Sequence, residues 1–88
     1  MFLHVTIAAY LEGYKLRLWF NNGIVKEVDL KDELYGEVFE PLRDIALFKQ
    51  LAVNPDTNTI EWPNGADFAP EFLYEIGEEV RMLAQAAA

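Results

Sequence analysis

With 88 residues the chain has room for one domain, and with no cysteine and a single histidine, His4, it cannot build a disulfide framework, a thiolate zinc site or an imidazole cluster. Hydrophobic residues make up 52% of the sequence and aromatics 14%, the composition of a chain with a packed core and not of a disordered segment. Fifteen acidic against seven basic residues give a net charge of -8, which repels phosphate backbones and anionic lipid, so neither nucleic acid nor membrane is an expected partner.

Residues 1–13, MFLHVTIAAYLEG, are apolar but lack the basic flank of a signal peptide and are too few to span a bilayer, so the expected location is cytoplasmic. Val5, Ile7, Ala9 and Leu11 alternate with period two, as do Tyr14, Leu16, Leu18 and Phe20. Only Glu12-Gly13 separates the two runs, which predicts a tight hairpin with Leu11 opposite Tyr14, Ala9 opposite Leu16, Ile7 opposite Leu18 and Val5 opposite Phe20. That register leaves Ala8, Tyr10 and Trp19 on the outward face.

The following turn discriminates between two registers. A two-residue Asn22-Gly23 loop would set Leu18 and Leu16 opposite Glu27 and Asp29 and bury charge. A three-residue loop, Asn21-Asn22-Gly23, pairs Phe20 with Ile24, Leu16 with Val28 and Tyr14 with Leu30, and sets Lys15 against Asp29 and Arg17 against Glu27. The three-residue loop is therefore expected, with Lys26, opposite Leu18, extending its ammonium to the sheet margin. Trp19 and Val25 then share the outward face with Tyr10, and either a helix packs over them or they form an exposed patch of the kind that anchors interfaces.

After Leu30, Asp32 is expected to cap a short turn that holds Leu34 and Tyr35 and stops at Gly36, and Pro41 to open a second turn through Arg43. A second hairpin is predicted near 49–62, with Pro55-Asp56-Thr57-Asn58 as its loop, Val53 meeting Ile60 and Leu51 meeting Trp62. From Pro70 the spacing Leu73, Ile76, Val80, Leu83 predicts an amphipathic helix, weakened locally by Gly77. The fold class expected is α+β: a three-stranded antiparallel meander, short helices, a second β-hairpin and a C-terminal helix, in one domain with a folded core over about 4–84.

Residues 59–75, TIEWPNGADFAPEFLYE, concentrate turn formers and carboxylates. A structural account covers each: Trp62 ends a strand as a buried core residue, Pro63 breaks the ladder, Asn64-Gly65 reverses the chain, and Asp67 caps the approach to the helix at Pro70. The alternative makes Asp67, with Glu71 and Glu61, a carboxylate cluster for a divalent cation or for acid–base chemistry. His4, beside Thr6, reads as a surface histidine, since no nucleophile or orienting carboxylate is placed near it by sequence. No residue pattern calls for a cofactor.

YKLRLWFNNG followed by VDL, then FEPLRDIALFKQLAVNP, then TIEWPNGADFAPEFLY, together resemble domain of unknown function 2442 over roughly residues 5–75. The segment Trp62-Pro63-Asn64-Gly65-Ala66-Asp67 with Pro70 is the most specific part, while Phe68-Ala69 stands where relatives often carry leucine and cysteine. The resemblance implies a small bacterial α+β domain with no established activity. Some relatives continue into a helix-turn-helix domain, for which 88 residues leave no room, and others are encoded beside a small basic protein in arrangements that look like toxin–antitoxin pairs.

Charge fits such a partnership. The first 55 residues hold eight acids and six bases, whereas from Asp56 onward there are seven acids and one base, Arg81. The expected function is thus a non-catalytic interaction module that forms a homodimer and meets a basic protein partner; the alternative is a small metal-binding or enzymatic domain centred on Asp67.

Overall fold

Opposite charges on neighbouring strands set the register at the centre of the fold. The structure, a computed structural model, describes residues 2–80. Strands β1 (Val5–Glu12), β2 (Lys15–Phe20) and β3 (Val25–Asp29) form an antiparallel meander. Between β2 and β3 the pairs are Lys15 with Asp29, Leu16 with Val28, Arg17 with Glu27, Leu18 with Lys26 and Trp19 with Val25. This is the register of the three-residue loop: Phe20 N–H donates to the Ile24 carbonyl at 2.9 Å, and Gly23 turns the chain at φ +87°. Arg17 and Glu27 form an ion pair at 2.5 Å. Leu16, Leu18, Phe20 and Val28 all face the core.

The first hairpin departs from the expected register. Val5 does pair with Phe20, but Ile7 pairs with Trp19, Ala8 with Leu18, Ala9 with Arg17 and Tyr10 with Leu16. Two bulges in β1 cause this, one inserting Thr6 and the other Leu11, and each shifts the strand by one residue relative to β2. Between the bulges every side chain changes face. Ala8 and Tyr10 therefore point inward, and Ile7, 56% exposed, points outward opposite Trp19. The exchange has a packing reason: the Tyr10 ring meets the Phe48 ring edge-on at 6.1 Å, contact that the small Ala9 side chain could not make. The hairpin loop is correspondingly Gly13-Tyr14 and not Glu12-Gly13, with Gly13 in the left-handed region at φ +53°.

Beyond β3, a 3-10 turn spans Lys31–Glu33 and a second one Glu40–Arg43, the latter containing Pro41 as expected. Asp29, not Asp32, braces the first, its Oδ1 accepting from the Lys31 N–H at 3.0 Å. Helix α1 (Ile45–Phe48) is capped by Asp44, whose Oδ1 accepts from the Ala46 N–H at 3.0 Å. Strands β4 (Ala52–Asn54) and β5 (Thr59–Glu61) form the second hairpin, with Val53 opposite Ile60.

Helix α2 (Pro70–Ile76) opens on its proline as expected but stops at Gly77, and the chain then runs as β6 (Glu78–Glu79) beside β3. Val80 consequently lies past the helix, its N–H bonded to the Val25 carbonyl at 2.8 Å, and Leu83 falls outside the described residues. Gly77 does more than weaken the helix. A Cβ there would stand 2.9 Å from Val28 Cγ2 and 3.0 Å from Lys26 Cβ, so only glycine lets the chain pass this close to β3. Lys26 closes the helix end from the other side: its Nζ donates to the Tyr74 carbonyl at 2.6 Å and lies 3.9 Å from the centre of the Tyr74 ring.

The sheet order is β1-β2-β3-β6. Its inner face packs on Leu34, Leu42, Phe48, Ile60, Trp62 and Leu73, all buried, in one hydrophobic core. The fold is α+β.

Candidate functional site

Trp62 and the turn after it tie the separate elements together. The indole is 2% exposed, and its Nε1 donates to the Phe48 carbonyl at 2.8 Å, one of the carbonyls that the end of α1 leaves without a helical partner. Its ring stands 5.6 Å from Phe48 and 6.0 Å from Phe68. Pro63 and Asn64 occupy the centre of a tight turn closed by Gly65 N–H to the Trp62 carbonyl, and by Trp62 N–H to the Ala66 carbonyl, both at 2.9 Å. Gly65 has φ +88°, a conformation that side chains with a Cβ rarely adopt. Asn64 works in two directions: Oδ1 accepts from the Ala66 N–H, and Nδ2 donates to the Val38 carbonyl at 2.9 Å. The turn is thereby pinned to the segment that carries Phe39.

Asp67 is exposed and pairs with Glu61 in a single β-bridge. The expected cap is absent: no side chain caps α2, which starts from Ala69 with Pro70 in its first turn. Proline lacks an N–H and its ring fixes a helical φ, so the first turn forms without the cap. Glu61 is held by Asn54 Nδ2 at 2.9 Å, Glu71 is exposed in the first turn of α2, and among the described residues no three acidic or histidine side chains gather to hold a metal ion. His4 is half-buried and its backbone pairs with Asn21.

The other expected site, the outward face of the meander, has a different membership. Trp19 is half-buried and Val25 buried, side by side across β2 and β3, and Ile7 stands on the other side of Trp19. Tyr10 is not part of this face: it packs against the core, with Lys49 Nζ 5.4 Å from its ring centre. Ile7 was hidden from sequence reading because its period-two alternation with Val5 is unbroken; the bulges that turn it outward leave no local mark.

A further surface feature has no sequence signal of its own. Phe39, Phe68 and Phe72 stack in a row, with ring centres 4.5 Å and 5.6 Å apart and planes within 24° and 16° of parallel. They wall a groove of about 340 Å³ whose rim carries Glu33, Tyr35 and Asp67. Phe72 lies in the first turn of α2 and Phe68 in the extended segment before it, while Phe39 and Glu33 arrive from other parts of the chain through tertiary packing. A second depression, lined by Lys15, Glu27, Asp29 and Glu78 among others, mixes charges and favours neither sign.

These features define a small α+β domain with one aromatic-rich core, an outward aromatic face on its sheet and an acidic aromatic groove, and among the described residues no helix is long and apolar enough to cross a membrane. The family model described as Protein of unknown function (DUF2442) matches residues 5–79, and the chain belongs to that family. Comparison with curated proteins and with solved structures gives no match.

Proposed function

We propose that this chain is a non-catalytic protein-interaction module of the bacterial cytoplasm, which self-associates as a homodimer through the outward face of its sheet and binds a small basic protein in a toxin–antitoxin-like pair. The observation that carries this reading is the pairing of Ile7, 56% exposed, with Trp19 on a sheet face of a chain with net charge -8. Tryptophan and a neighbouring aliphatic side chain make the kind of centre around which interfaces form, and a two-fold arrangement would bring each patch onto its copy. The acidic surface steers a cationic protein toward the chain at a rate that falls with salt.

Sedimentation equilibrium at micromolar concentration, with wild type and a Trp19→Ser variant, tests the self-association. The expected result is a dimeric wild type and a monomeric variant. Co-expression with the adjacent gene tests the partner, and its product should co-purify at low salt and dissociate at high salt. A monomeric wild type with no salt-sensitive partner would overturn the reading.

A further inference from the structure

We infer that the Phe39–Phe68–Phe72 groove is a receptor for an arginine side chain of the basic protein partner, an inference that rests on the interaction reading and names its point of contact. The chemistry of the walls selects the ligand. Phe39, Phe68 and Phe72 stack on one another, so the ring faces left to a ligand are the outer ones of the row, where a flat cation can lie with its apolar stem along the phenyl walls. Glu33 and Asp67 stand on the rim, and no basic residue is among those that line the groove, so an anion is repelled and a neutral apolar group leaves two carboxylates without a counter-charge. A guanidinium meets both demands, because it is planar, weakly hydrated and able to stack on an aromatic ring while its N–H fork engages a carboxylate; a lysine ammonium is compact and strongly hydrated and stacks less well. The volume of about 340 Å³ accommodates one such side chain together with part of the backbone that bears it.

The site is built and not incidental. Asn64 clamps the Trp62–Ala66 turn to the Val38 carbonyl, next to Phe39, and so fixes one wall of the groove against the other. Thr59 Oγ1 donates to the Phe68 carbonyl at 2.6 Å, which holds the middle ring in place from within the fold. Two of the residues singled out by the sequence as family-motif positions, Asn64 and Asp67, thereby acquire a joint role: one positions the walls and the other supplies charge at the rim.

The test is a titration of 15N-labelled protein with the peptide acetyl-Arg-Leu-Arg-Leu-amide, followed by amide chemical shifts, with lysine and glutamate versions of the peptide as comparisons. The amides of Tyr35, Phe68, Ala69 and Phe72 should shift and saturate together, the lysine peptide should bind several-fold more weakly, and the glutamate peptide should not bind. Glu33→Gln with Asp67→Asn should weaken binding about five- to tenfold, since each rim carboxylate contributes at the upper end of an exposed ion pair. Neither carboxylate bonds another described residue, so the double variant should melt like wild type. Glu12→Gln with Glu78→Gln removes the same charge from the sheet and should change binding less than twofold. Shifts confined to the Trp19 face, or equal weakening by the two double variants, would overturn the inference. If the adjacent gene's basic product binds wild type and the Glu33→Gln/Asp67→Asn chain equally, the groove is not its receptor although the interaction reading stands; if it binds neither, both fall.

Discussion

Replacing Trp62 separates the two ways in which it holds the fold, and the structure sets the size of each. Its ring is 2% exposed and lies between Phe48 and Phe68, so Trp62→Ala removes a large core aromatic at a cost of about 3–5 kcal/mol. A domain of this length has roughly 4–13 kcal/mol of total stability, so the loss takes a large share of it and the variant should be strongly destabilised and aggregation-prone. Trp62→Phe keeps most of the apolar contact but loses the Nε1–H donated to the Phe48 carbonyl, which leaves a buried acceptor unpaired at about 1–3 kcal/mol. Urea unfolding followed by far-UV circular dichroism reads both, and in both variants Trp19 remains as the fluorescence reporter. Since about 1 kcal/mol moves the thermal midpoint of a domain this size by roughly 4–8 °C, Trp62→Phe should lower Tm by about 4–24 °C and Trp62→Ala by more. A Trp62→Ala protein that melts within a few degrees of wild type would refute the reasoning, for it would place the indole outside the cooperative core.

Gly77→Ala should destabilise by about 1–3 kcal/mol, because its Cβ would stand 2.9 Å from Val28 Cγ2, and hydrogen exchange should show early loss of protection at the Val80 amide, which bonds the Val25 carbonyl. A double-mutant cycle on Arg17→Ala and Glu27→Ala should give a coupling of roughly 0.2–1 kcal/mol that disappears in 1 M salt, as befits a pair one-third or more exposed on each side. The proposed dimer and the proposed arginine receptor carry their own tests, Trp19→Ser in sedimentation and Glu33→Gln/Asp67→Asn in peptide titration.

Charge made the second turn legible. Lys15, Arg17, Glu27 and Asp29 pair in only one register, and the wrong one would bury carboxylates, so the three-residue loop could be read before any coordinate. The first turn offered no such penalty. Apolar residues occupy Val5, Ile7, Ala8, Ala9, Tyr10 and Leu11, so β1 has an apolar side chain for the core in either register, and the choice falls to how the Tyr10 ring meets Phe48, a contact between residues 38 positions apart. Gly77 misled for a related reason. Glycine in an apolar helical pattern signals a local cost, whereas here it marks a close approach to Val28 that only the assembled sheet creates. Asp67 had the residue type of a cap without the geometry of one. Of the groove, the sequence carried Phe68, Phe72 and Asp67 within one short stretch, but Phe39 and Glu33 join them only through tertiary packing, Phe39 by stacking on Phe68.

The two bulges of β1 also bear on how the protein behaves when crowded. An edge strand of eight residues is an open template for pairing with another chain, the usual first step toward strand-mediated aggregation. The insertions at Thr6 and Leu11 break the even spacing of β1's outer N–H and C=O groups, and the second hairpin takes up Val5 N–H through the Asn58 carbonyl at 2.9 Å. At the opposite margin β6 contributes two residues, Glu78 and Glu79, whose like charges repel a second copy laid alongside. Both margins therefore discourage strand addition, and with it the open-ended growth by which one chain templates the next.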